Sequence, residues 1–289
     1  MLTLDVLILS FNRSVEVLAA IESCEHSAIN NVLVLDNGST EPINLKSGPR
    51  LYRSNENLGP CAGRNTLAGN SSADLLLFLD DDALLDPSSD LDSIISDFEN
   101  DPALAVVAGL VHREGGSIEE SEFPCRKVQR IDEARRVGYF VEGACIIRRS
   151  AFISASGYDA NFFYGHEASD FALRLALKNQ IVFYNPKLSL LHKPSISGRE
   201  RTNLRYVELF QNRRVLCWRN LPLLISFIHN VIWFGFYSMK IITQKPKDFG
   251  RLIKAAISPI DKAEQSIDRC KIGFMRSLGL HRVGYRIFW

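Results

Sequence analysis

The chain has 289 residues, with 34 Lys and Arg side chains against 33 Asp and Glu, so its formal net charge at pH 7 is +1. It is 46% hydrophobic and 23% charged, the composition of a globular protein with enough apolar material for a sizeable core. This balance argues against nucleic-acid binding, which needs a clear basic excess. The six cysteines are scattered without a C-x-x-C pair, so we expect buried free thiols rather than a zinc or redox site.

The N-terminus, MLTLDVLILSFNR, contains an apolar run with no basic region before it and no small-residue cleavage site after it. This pattern predicts a first β-strand rather than a signal peptide. We therefore expect a protein of the reducing cytoplasm.

The first hundred residues alternate short apolar runs with helical patterns. The runs predict strands at residues 4–9, 32–35, 50–54, 75–79 and 104–110, with helical segments around 17–24 and from Cys61 onward. Apolar strands separated by helices are typical of a parallel sheet covered on both faces, an α/β doubly wound fold. In such sheets ligands bind at the carboxyl ends of the strands.

After residue 110 the alternation stops. Residues 112–136 are charged and irregular, which predicts a surface excursion or a flexible loop. Beyond them the pattern predicts strand, turn and strand over 137–147, a helix over 171–177, short strands at 181–184 and 188–191, and a basic amphipathic helix over 203–219.

Polar clusters follow three of the predicted strands, at residues 10–13, 36–39 and 80–82. Asp80, Asp81 and Asp82 are consecutive acids that repel one another, and a hard divalent cation such as Mg²⁺ or Mn²⁺ would hold them together. The alternative is a solvated turn or helix start, where acids are also favoured. The cluster at 36–39, DNGS, is either an ordinary turn or a means of placing Asp36 against a base or ribose.

A glycine-rich segment, NLGPCAGRN at residues 57–65, comes before a predicted helix. Glycines at a helix start allow close backbone approach, and a helix N-terminus with Arg64 favours a diphosphate. The sequence contains no Walker loop, and no G-x-G-x-x-G follows the first strand, which disfavours P-loop chemistry and nicotinamide binding.

Seven segments, taken in order, resemble family 2 glycosyltransferases with the GT-A fold over residues 4–220: SFNR, VLDNGST, NLGPCAGRN, FLDDD, EGACIIRR, GYDANFFYGHEASDFALRL and LLHKPS. The resemblance implies a Rossmann-like α/β fold with a mostly parallel central sheet and helices on both faces. Residues 1–220 would form the GT-A domain, with a nucleotide-binding half at 1–110 and a catalytic and acceptor half at 111–220. Residues 221–289 would form a helical C-terminal extension.

The same resemblance implies an inverting transfer that depends on Mn²⁺ or Mg²⁺. The donor would be a nucleotide diphosphate sugar, with UDP or dTDP as the nucleotide. The acceptor would be a glycan, a lipid-linked compound or a small molecule.

The resemblance assigns donor-binding roles to Ser10, Asn12, Arg13, Asp36, Asn57, Gly63, Arg64, Asp80 and Asp81. Within this set Asp36 would contact the base and Asp80 the ribose. Asp82 would be the most direct metal ligand, with His192 as a second ligand. Judged by its position alone, His192 is only a histidine at a strand end.

The family's catalytic segment, E-D-x-D-L, corresponds here to residues 167–171, in which Ala168 stands where the family has its second acid. The resemblance therefore implies Glu167 as the base, with Asp170 orienting it or substituting for it. Glu167 and Asp170 are three residues apart and share a helix face. As ordinary helix N-terminal acids they would each contribute only about 0.3–1 kcal/mol.

Two other functions compete with this one. A sugar nucleotidyltransferase would share the layered sheet and the metal-binding acids but would open with a loop rich in glycine and lysine, unlike SFNR. A non-catalytic nucleotide-sugar binding protein is compatible with Ala168 in place of an acid.

The most apolar stretch is residues 221–242, LPLLISFIHNVIWFGFYSMKII. Its length is close to the ~20 residues that span a bilayer, but His229 and Asn230 at its centre disfavour spanning. The basic residues after it are typical of a helix that lies on a membrane surface. Packing on the enzyme core or in a homodimer interface is the alternative. We expect a cytoplasmic enzyme, either soluble or peripheral on the inner face of the membrane.

Overall fold

The computed structural model describes residues 1–45, 48–125, 128–162, 165–195, 205–244 and 246–260. The last part of the predicted extension, residues 261–289, lies outside the described residues, as do residues 203 and 204 at the start of the predicted basic helix.

The N-terminal half follows the predicted alternation of strands and helices. Its elements are β1 (Leu4–Ser10), α1 (Glu16–Glu22), β2 (Asn31–Asp36), β3 (Arg50–Arg53), α2 (Gly59–Asn70) and β4 (Leu75–Asp80). Alternate residues of β1 point to opposite faces of the sheet, so Leu7 packs in one apolar cluster with Leu67 of α2. Val6 packs in the other with Val17 of α1. Each strand is apolar along its length because both faces are covered.

The second half contributes further strands and helices to the same layers. They are β5 (Ala83–Leu85), α3 (Leu91–Asn100), β6 (Leu104–His112), β7 (Arg135–Val137), β8 (Ala144–Arg148), α4 (Arg149–Ser154), α5 (Glu167–Leu177) and β9 (Ile181–His192). α3 was not predicted, and its start is capped by Asp90, which accepts a hydrogen bond from the Ser93 amide at 3.0 Å. α5 begins at Glu167, four residues earlier than predicted.

Among the described residues the sheet has nine strands in the order β3-β2-β1-β4-β8-β6-β9-β5, with β7 beside β9. The first four run parallel, as predicted for the nucleotide-binding half. β8 lies antiparallel between β4 and β6, and β5 and β7 run antiparallel to β9. Because β6 and β9 pair in parallel and β8 is antiparallel to both β4 and β6, six of the nine described strands share one direction. The predicted mostly parallel sheet is confirmed, with β5, β7 and β8 running the opposite way. Two short 3₁₀ turns and β7, but no α-helix, are described between β6 and β8, so β8 can return beside β6 in the opposite direction without a helical crossover.

Two local expectations about the second half are wrong. Residues 137–147 contain the predicted turn at 142–143 and the strand after it, β8, but the strand predicted before the turn is only β7, which ends at Val137. β7 pairs with β9, whereas β8 pairs with β4 and β6. The two short strands at 181–184 and 188–191 are one strand, β9, whose pairing with β6 is interrupted by a register shift between Ala108 and Leu110. Apolar spacing marks burial in both cases but does not identify the partner strand.

Three helices close the described chain: α6 (Arg205–Asn220), α7 (Leu223–Gln244) and α8 (Phe249–Ile257). α6 and α7 form an antiparallel pair, since Tyr206 hydrogen-bonds to Gln244 at one end and Cys217 contacts His229 near the other. A separate apolar cluster holds the three helices together, with Phe210, Tyr237 and Leu252 buried in it. The predicted helical C-terminal part is confirmed over these residues.

Candidate active site

The loops after β1 and β2 meet at one edge of the sheet, where two of the polar clusters were predicted to converge. The Asn37 amide donates to the Ser10 carbonyl at 2.8 Å, and the Asn12 amide donates to Ser39 Oγ at 2.9 Å. Asn12 Oδ1 accepts from the Thr40 amide at 2.8 Å. Asn12 adopts φ +54°, a left-handed conformation that asparagine tolerates better than most residues. Parallel pairing of β1 and β2 brings the loops together.

Asp36 is buried within its own loop. Its Oδ1 accepts from the Ser39 amide at 2.9 Å, its Oδ2 accepts from the Ile43 amide at 3.1 Å, and Arg53 forms an ion pair with Oδ2. Burial alone would raise the pKa of Asp36, but these partners outweigh it and lower the pKa. The carboxylate therefore holds the loop in shape, and contact with a base stays a prediction.

The glycine-rich segment starts α2 at Gly59, two residues before the predicted position. Asn57 Oδ1 accepts from the Gly59 amide at 2.9 Å and from Asn37 Nδ2 at 3.1 Å, which ties the helix start to the β2 loop. A Cβ on Gly63 would lie 2.5 Å from Leu9 Cδ1. The close approach that Gly63 allows is thus between α2 and β1, and its contact with a diphosphate stays a prediction.

Arg64 lies buried beneath the end of β4, with its guanidinium 2.7 Å from Asp80 Oδ1. Burial works against its charge, but the carboxylates of Asp80, Glu142 and Glu167 outweigh that effect and raise its pKa. Gly143 permits this arrangement, because a Cβ there would overlap the Asp80 carboxyl. Arg64 therefore pairs with Asp80 and lies near enough to Glu142 and Glu167 to interact with their charges.

The three consecutive acids have different surroundings. The side chain of Asp80 is 35% exposed, whereas those of Asp81 and Asp82 are 6% and 5% exposed. Arg13 lies between the last two, 2.6 Å from Asp81 Oδ1 and 3.0 Å from Asp82 Oδ2. Burial raises the pKa of Asp81 to about 6 despite Arg13. Asp80 is therefore the acid most open to a ligand.

Asp82 and His192 lie side by side, with Asp82 Oδ1 3.4 Å from His192 Nε2. The pairing of β5 with β9 explains this, because it places Ala83 directly opposite His192. Burial would raise the pKa of Asp82, but His192, the Ser195 amide and Arg13 lower it. One carboxylate oxygen and one imidazole nitrogen thus face each other at the predicted metal position.

Glu122 completes this arrangement and was not predicted. Its Oε1 lies 2.9 Å from His192 Nδ1 and 2.5 Å from Arg113 NH2. A carboxylate on the second ring nitrogen fixes the tautomer and orientation of a metal-binding histidine. Glu122 lies in the segment predicted to be a surface excursion, but the neighbouring Phe123 is fully buried against Tyr184, with ring centroids 5.3 Å apart. An apolar residue directly after acidic residues was the only sequence signal.

The donor atoms of Asp82 and His192 fit a hard divalent cation whose other ligands come from a substrate. Mg²⁺ is usually bound through one or two carboxylates plus phosphates and water. In the part of the chain that the structure describes, no group of three or more His, Cys, Asp or Glu side chains converges as a closed metal site. The residues therefore suit an ion shared with a diphosphate rather than a closed structural zinc site.

Two buried carboxyl groups lie at the start of α5. Glu142 Oε1 accepts from the Ala168 amide at 2.8 Å, which brings Glu142 beside Glu167. Burial, and then the charge of Glu142, raise the pKa of Glu167 to about 8. Burial raises the pKa of Glu142 as well, although Arg64 opposes it. Among the described residues Glu167 Oε2 has no hydrogen-bond partner. A buried carboxyl with a raised pKa and an unused oxygen has the properties of a general base.

Asp170 is also buried, but both of its oxygens face arginines. Its Oδ2 lies 2.8 Å from Arg174 Nε, and its Oδ1 lies 3.5 Å from Arg219 NH1. Arg219 also pairs with Asp159 at 2.6 Å. These contacts fasten α5 to α6, which favours a positioning role for Asp170 over that of a substitute base.

Comparison with known proteins adds a family and a fold. The model described as Glycosyl transferase family 2 matches residues 5–154, just over half of the chain. S. aureus TarS, residues 1–349, superposes with TM-score 0.60 and 14% identity, covering 97% of this chain and 86% of that chain. No curated protein sequence matches the chain.

Two further structures are similar. The mannosyltransferase PcManGT from Pyrobaculum calidifontis, in complex with GDP-Man and Mn²⁺, gives TM-score 0.58 and 14% identity over 98% of this chain and 84% of that one. GalNAc-T7 with UDP, GalNAc and Mn²⁺ gives TM-score 0.57 and 15% identity over 74% of this chain. The matched part is 48% of the GalNAc-T7 chain, so this chain spans about half the length of GalNAc-T7. These likenesses confirm the GT-A fold.

Proposed function

Because the chain belongs to glycosyl transferase family 2, we propose that it transfers a sugar from a nucleotide diphosphate donor to an acceptor, with inversion at the anomeric carbon. One observation carries this proposal. Asp82, which faces His192, comes two residues after Asp80, and Asp80 pairs with Arg64, whose charge interacts with the carboxylates of Glu142 and Glu167. This arrangement supports a leaving-group site and a proton acceptor at the same edge of the sheet.

The donor side of the site consists of the loops after β1, β2 and β4. Asp80 is the exposed acid that would meet the ribose, and Arg13 is the cation nearest to Asp81 and Asp82. A UDP or dTDP sugar remains the proposed donor. One similar structure contains UDP and another contains GDP-Man, so a donor screen should include sugars of UDP, dTDP and GDP.

Mn²⁺ or Mg²⁺ is the proposed cofactor, held by Asp82 and His192, and both similar nucleotide complexes contain Mn²⁺. When bound, such an ion would neutralise the charge that develops on the diphosphate leaving group. Glu122 would keep the His192 ring in the orientation that binds the ion through Nε2.

The transfer step is a direct displacement. An acceptor hydroxyl or amine attacks the anomeric carbon, its new bond to that carbon forms, and the bond from the carbon to the diphosphate oxygen breaks. The proton of the nucleophile passes to Glu167, and the nucleoside diphosphate leaves. Attack on the face opposite the leaving group inverts the configuration.

Of the competing functions, a non-catalytic binding protein was compatible with Ala168 in place of an acid. The Ala168 amide, however, donates a hydrogen bond to the Glu142 carboxylate, so a second acid, from the turn before β8, lies at the start of α5. This supports an enzyme. The family match argues against a nucleotidyltransferase.

The acceptor is proposed to be a glycan, a lipid-linked compound or a small molecule. We propose a cytoplasmic enzyme, either soluble or peripheral on the inner face of the membrane. Four of the described cysteines (Cys24, Cys61, Cys145 and Cys217) are buried free thiols, which fits a reducing compartment.

The proposal is tested by measuring the binding of UDP, dTDP and GDP sugars with and without Mn²⁺ or Mg²⁺, followed by donor hydrolysis. Asp82→Asn should weaken metal-dependent donor binding and hydrolysis at least tenfold. Asp92→Asn changes an exposed acid of α3 and should have no effect. If no nucleotide sugar binds, or if Asp82→Asn behaves like Asp92→Asn, the proposed site is wrong. Pyrophosphate release from a sugar 1-phosphate and a nucleoside triphosphate would instead identify a nucleotidyltransferase.

A further inference from the structure

The outward face of α7 is apolar and exposed to solvent. Eight of its large apolar side chains are each between 50% and 71% exposed: Leu223, Leu224, Phe227, Ile228, Val231, Ile232, Met239 and Ile242. A monomeric soluble protein rarely exposes a contiguous apolar surface of this extent, so such a surface marks an interaction site.

His229 and Tyr237 lie on the other side of α7, and Asn230 is half-buried. His229 is buried, with Nδ1 3.2 Å from Cys217 Sγ of α6, and Tyr237 is buried in the cluster shared with α6 and α8. Lys240 is the only Lys, Arg, Asp or Glu between residues 223 and 244. The residues that disfavour membrane contact in the sequence therefore do not interrupt the exposed apolar face.

The packing of α7 disfavours a membrane-spanning orientation. With 22 residues and a mean hydropathy of 1.2, the helix could cross a bilayer by length and composition. It lies along α6, however, and α6 is tied to the catalytic domain by the Arg219–Asp159 ion pair at 2.6 Å and by Asn212, which donates to the Gly165 carbonyl at 2.9 Å. Spanning would carry these charged and polar groups into hydrocarbon at a high energetic cost.

We infer that α7 and α8 dock the enzyme flat on an anionic lipid bilayer. The exposed face of α7 would enter the boundary between headgroups and acyl chains, as in other amphipathic interfacial helices. The charge of this region complements such a surface, because residues 221–260 contain five Lys and Arg but only one acid, in a chain whose net charge is +1. Exposed Lys247, Arg251 and Lys254 would contact the headgroups.

A second copy of the chain fits this face less well. Phe227 and Phe236, both exposed, lie nine positions apart, which places them on opposite flanks of the helix, about 180° from each other at 3.6 residues per turn. The exposed apolar arc is wider than the narrow seam through which two helices pair. A bilayer contacts the whole arc at once.

Docking of this kind would restrict the acceptor. α6 separates α7 from the residues around Glu167, since it contacts both Gly165 and Asp170. The bilayer would then lie within about one helix diameter, 10–12 Å, of the helix that flanks the proposed base. An acceptor carried on a lipid would meet the site in this geometry. This consequence rests on the proposed function, whereas the docking does not.

The test is flotation of the full chain with vesicles of phosphatidylcholine alone or mixed with phosphatidylglycerol. We expect the protein to float with the anionic vesicles at low salt and to be partly released at high salt. In the double variant Ile228→Glu, Ile232→Glu the vesicle-bound fraction should fall at least about tenfold, since the substitutions place charge on the face of α7 that would enter the bilayer. Replacing Lys247 and Lys254 by Gln should weaken binding about fivefold for each residue.

The matched control is Ile153→Glu, which changes an exposed isoleucine of α4 and should float like the wild type. Circular dichroism of each variant establishes that it is folded. Docking is refuted if the wild type stays at the bottom with anionic vesicles, or if the folded double variant floats as well as Ile153→Glu. A concentration-dependent dimer abolished by the double variant would identify a second copy as the occupant.

Flotation requires no donor, so its outcome is separate from that of the catalytic assay. Sugar transfer by a protein that does not float would refute only the docking. A protein that floats but neither binds nor hydrolyses any donor would refute only the proposed function.

Discussion

Replacing Glu167 by Gln tests whether this carboxyl group is the proton acceptor. Glu167 is only 7% exposed, and burial together with Glu142 raises its pKa to about 8. Glutamine has nearly the same size and resembles the protonated form, but it cannot take a proton. We expect sugar transfer to fall by about 10²–10⁴-fold, the usual contribution of a positioned general base. Donor binding should be unchanged.

The pH dependence of transfer provides a second measurement. Only ionised Glu167 can act as a base, so the wild-type rate should rise about tenfold per pH unit at low pH and level off near pH 8. Glu142→Gln removes the neighbouring charge and should shift this profile to lower pH. Because burial is the larger cause of the raised pKa, the shift should be partial.

As pH rises, the free energy of unfolding should fall while the rate of transfer rises. The folded protein retains a proton on Glu167 up to about pH 8, whereas the unfolded chain releases it near the ordinary pKa of 4.5. The free energy of unfolding therefore falls as pH rises between these values, by on the order of 5 kcal/mol at 1.36 kcal/mol per unit. Glu167→Gln removes this penalty, so it should raise the melting temperature at pH 8 and change it little at pH 5.

The control is Glu22→Gln, which changes an exposed glutamate at the end of α1 and should alter neither activity nor the pH dependence of stability. The two measurements that check these predictions are thermal unfolding at several pH values and a transfer assay with a verified acceptor. The reasoning fails if Glu167→Gln keeps more than a tenth of the wild-type rate, or if its melting temperature varies with pH as the wild type does. If Glu142→Gln loses sugar transfer while Glu167→Gln keeps it, the base is Glu142.

Two further predictions concern the metal pair and the sheet. Glu122→Gln should weaken the affinity for Mn²⁺ about 10–100-fold, because the His192 ring loses the carboxylate that orients it. The affinity is measured by titrating Mn²⁺ into a nucleotide-binding assay. Unchanged affinity would show that Glu122 does not act through His192. Gly63→Ala would place a Cβ 2.5 Å from Leu9 Cδ1, so the Leu9 side chain must shift, and this variant should be less stable than Gly69→Ala by about 1–3 kcal/mol. Gly69→Ala in the same helix meets nothing within 4 Å and should stabilise it by about 0.5–1 kcal/mol in chemical denaturation; equal effects of the two would contradict the packing argument.

Much of the donor side of the site could be predicted because its signals are local. β1, β2 and β4 are continuous apolar runs, each followed at once by a polar cluster. Parallel pairing then places those clusters at one edge of the sheet. The amino-acid sequence alone is therefore enough to place Asp80, Asp81 and Asp82 beside the β1 loop. It does not reveal their different surroundings, because these depend on Arg13 and Arg64 reaching them from elsewhere in the chain.

Only part of the arrangement around the proposed base, Glu167, could be predicted from the sequence. The helix carrying Glu167 and Asp170 could be located by its resemblance to a known segment, but the arginines on Asp170 come from two different helices, α5 and α6. Glu142 was noted only as part of a turn. Its role depends on β8 lying next to β4, so that its carboxylate reaches the Ala168 amide.

The sequence by itself determined which segments are buried and which carry charge, because apolar periodicity records burial along a single strand or helix. It could not determine that β8 runs antiparallel beside β4, or that Glu122 reaches His192 across 70 residues. Strand partners and long-range ion pairs are chosen by the packing of all the elements at once, since many pairings bury the same apolar side chains equally well. Only the tertiary structure resolves that choice, and with it the surroundings that set the charge of each carboxyl group.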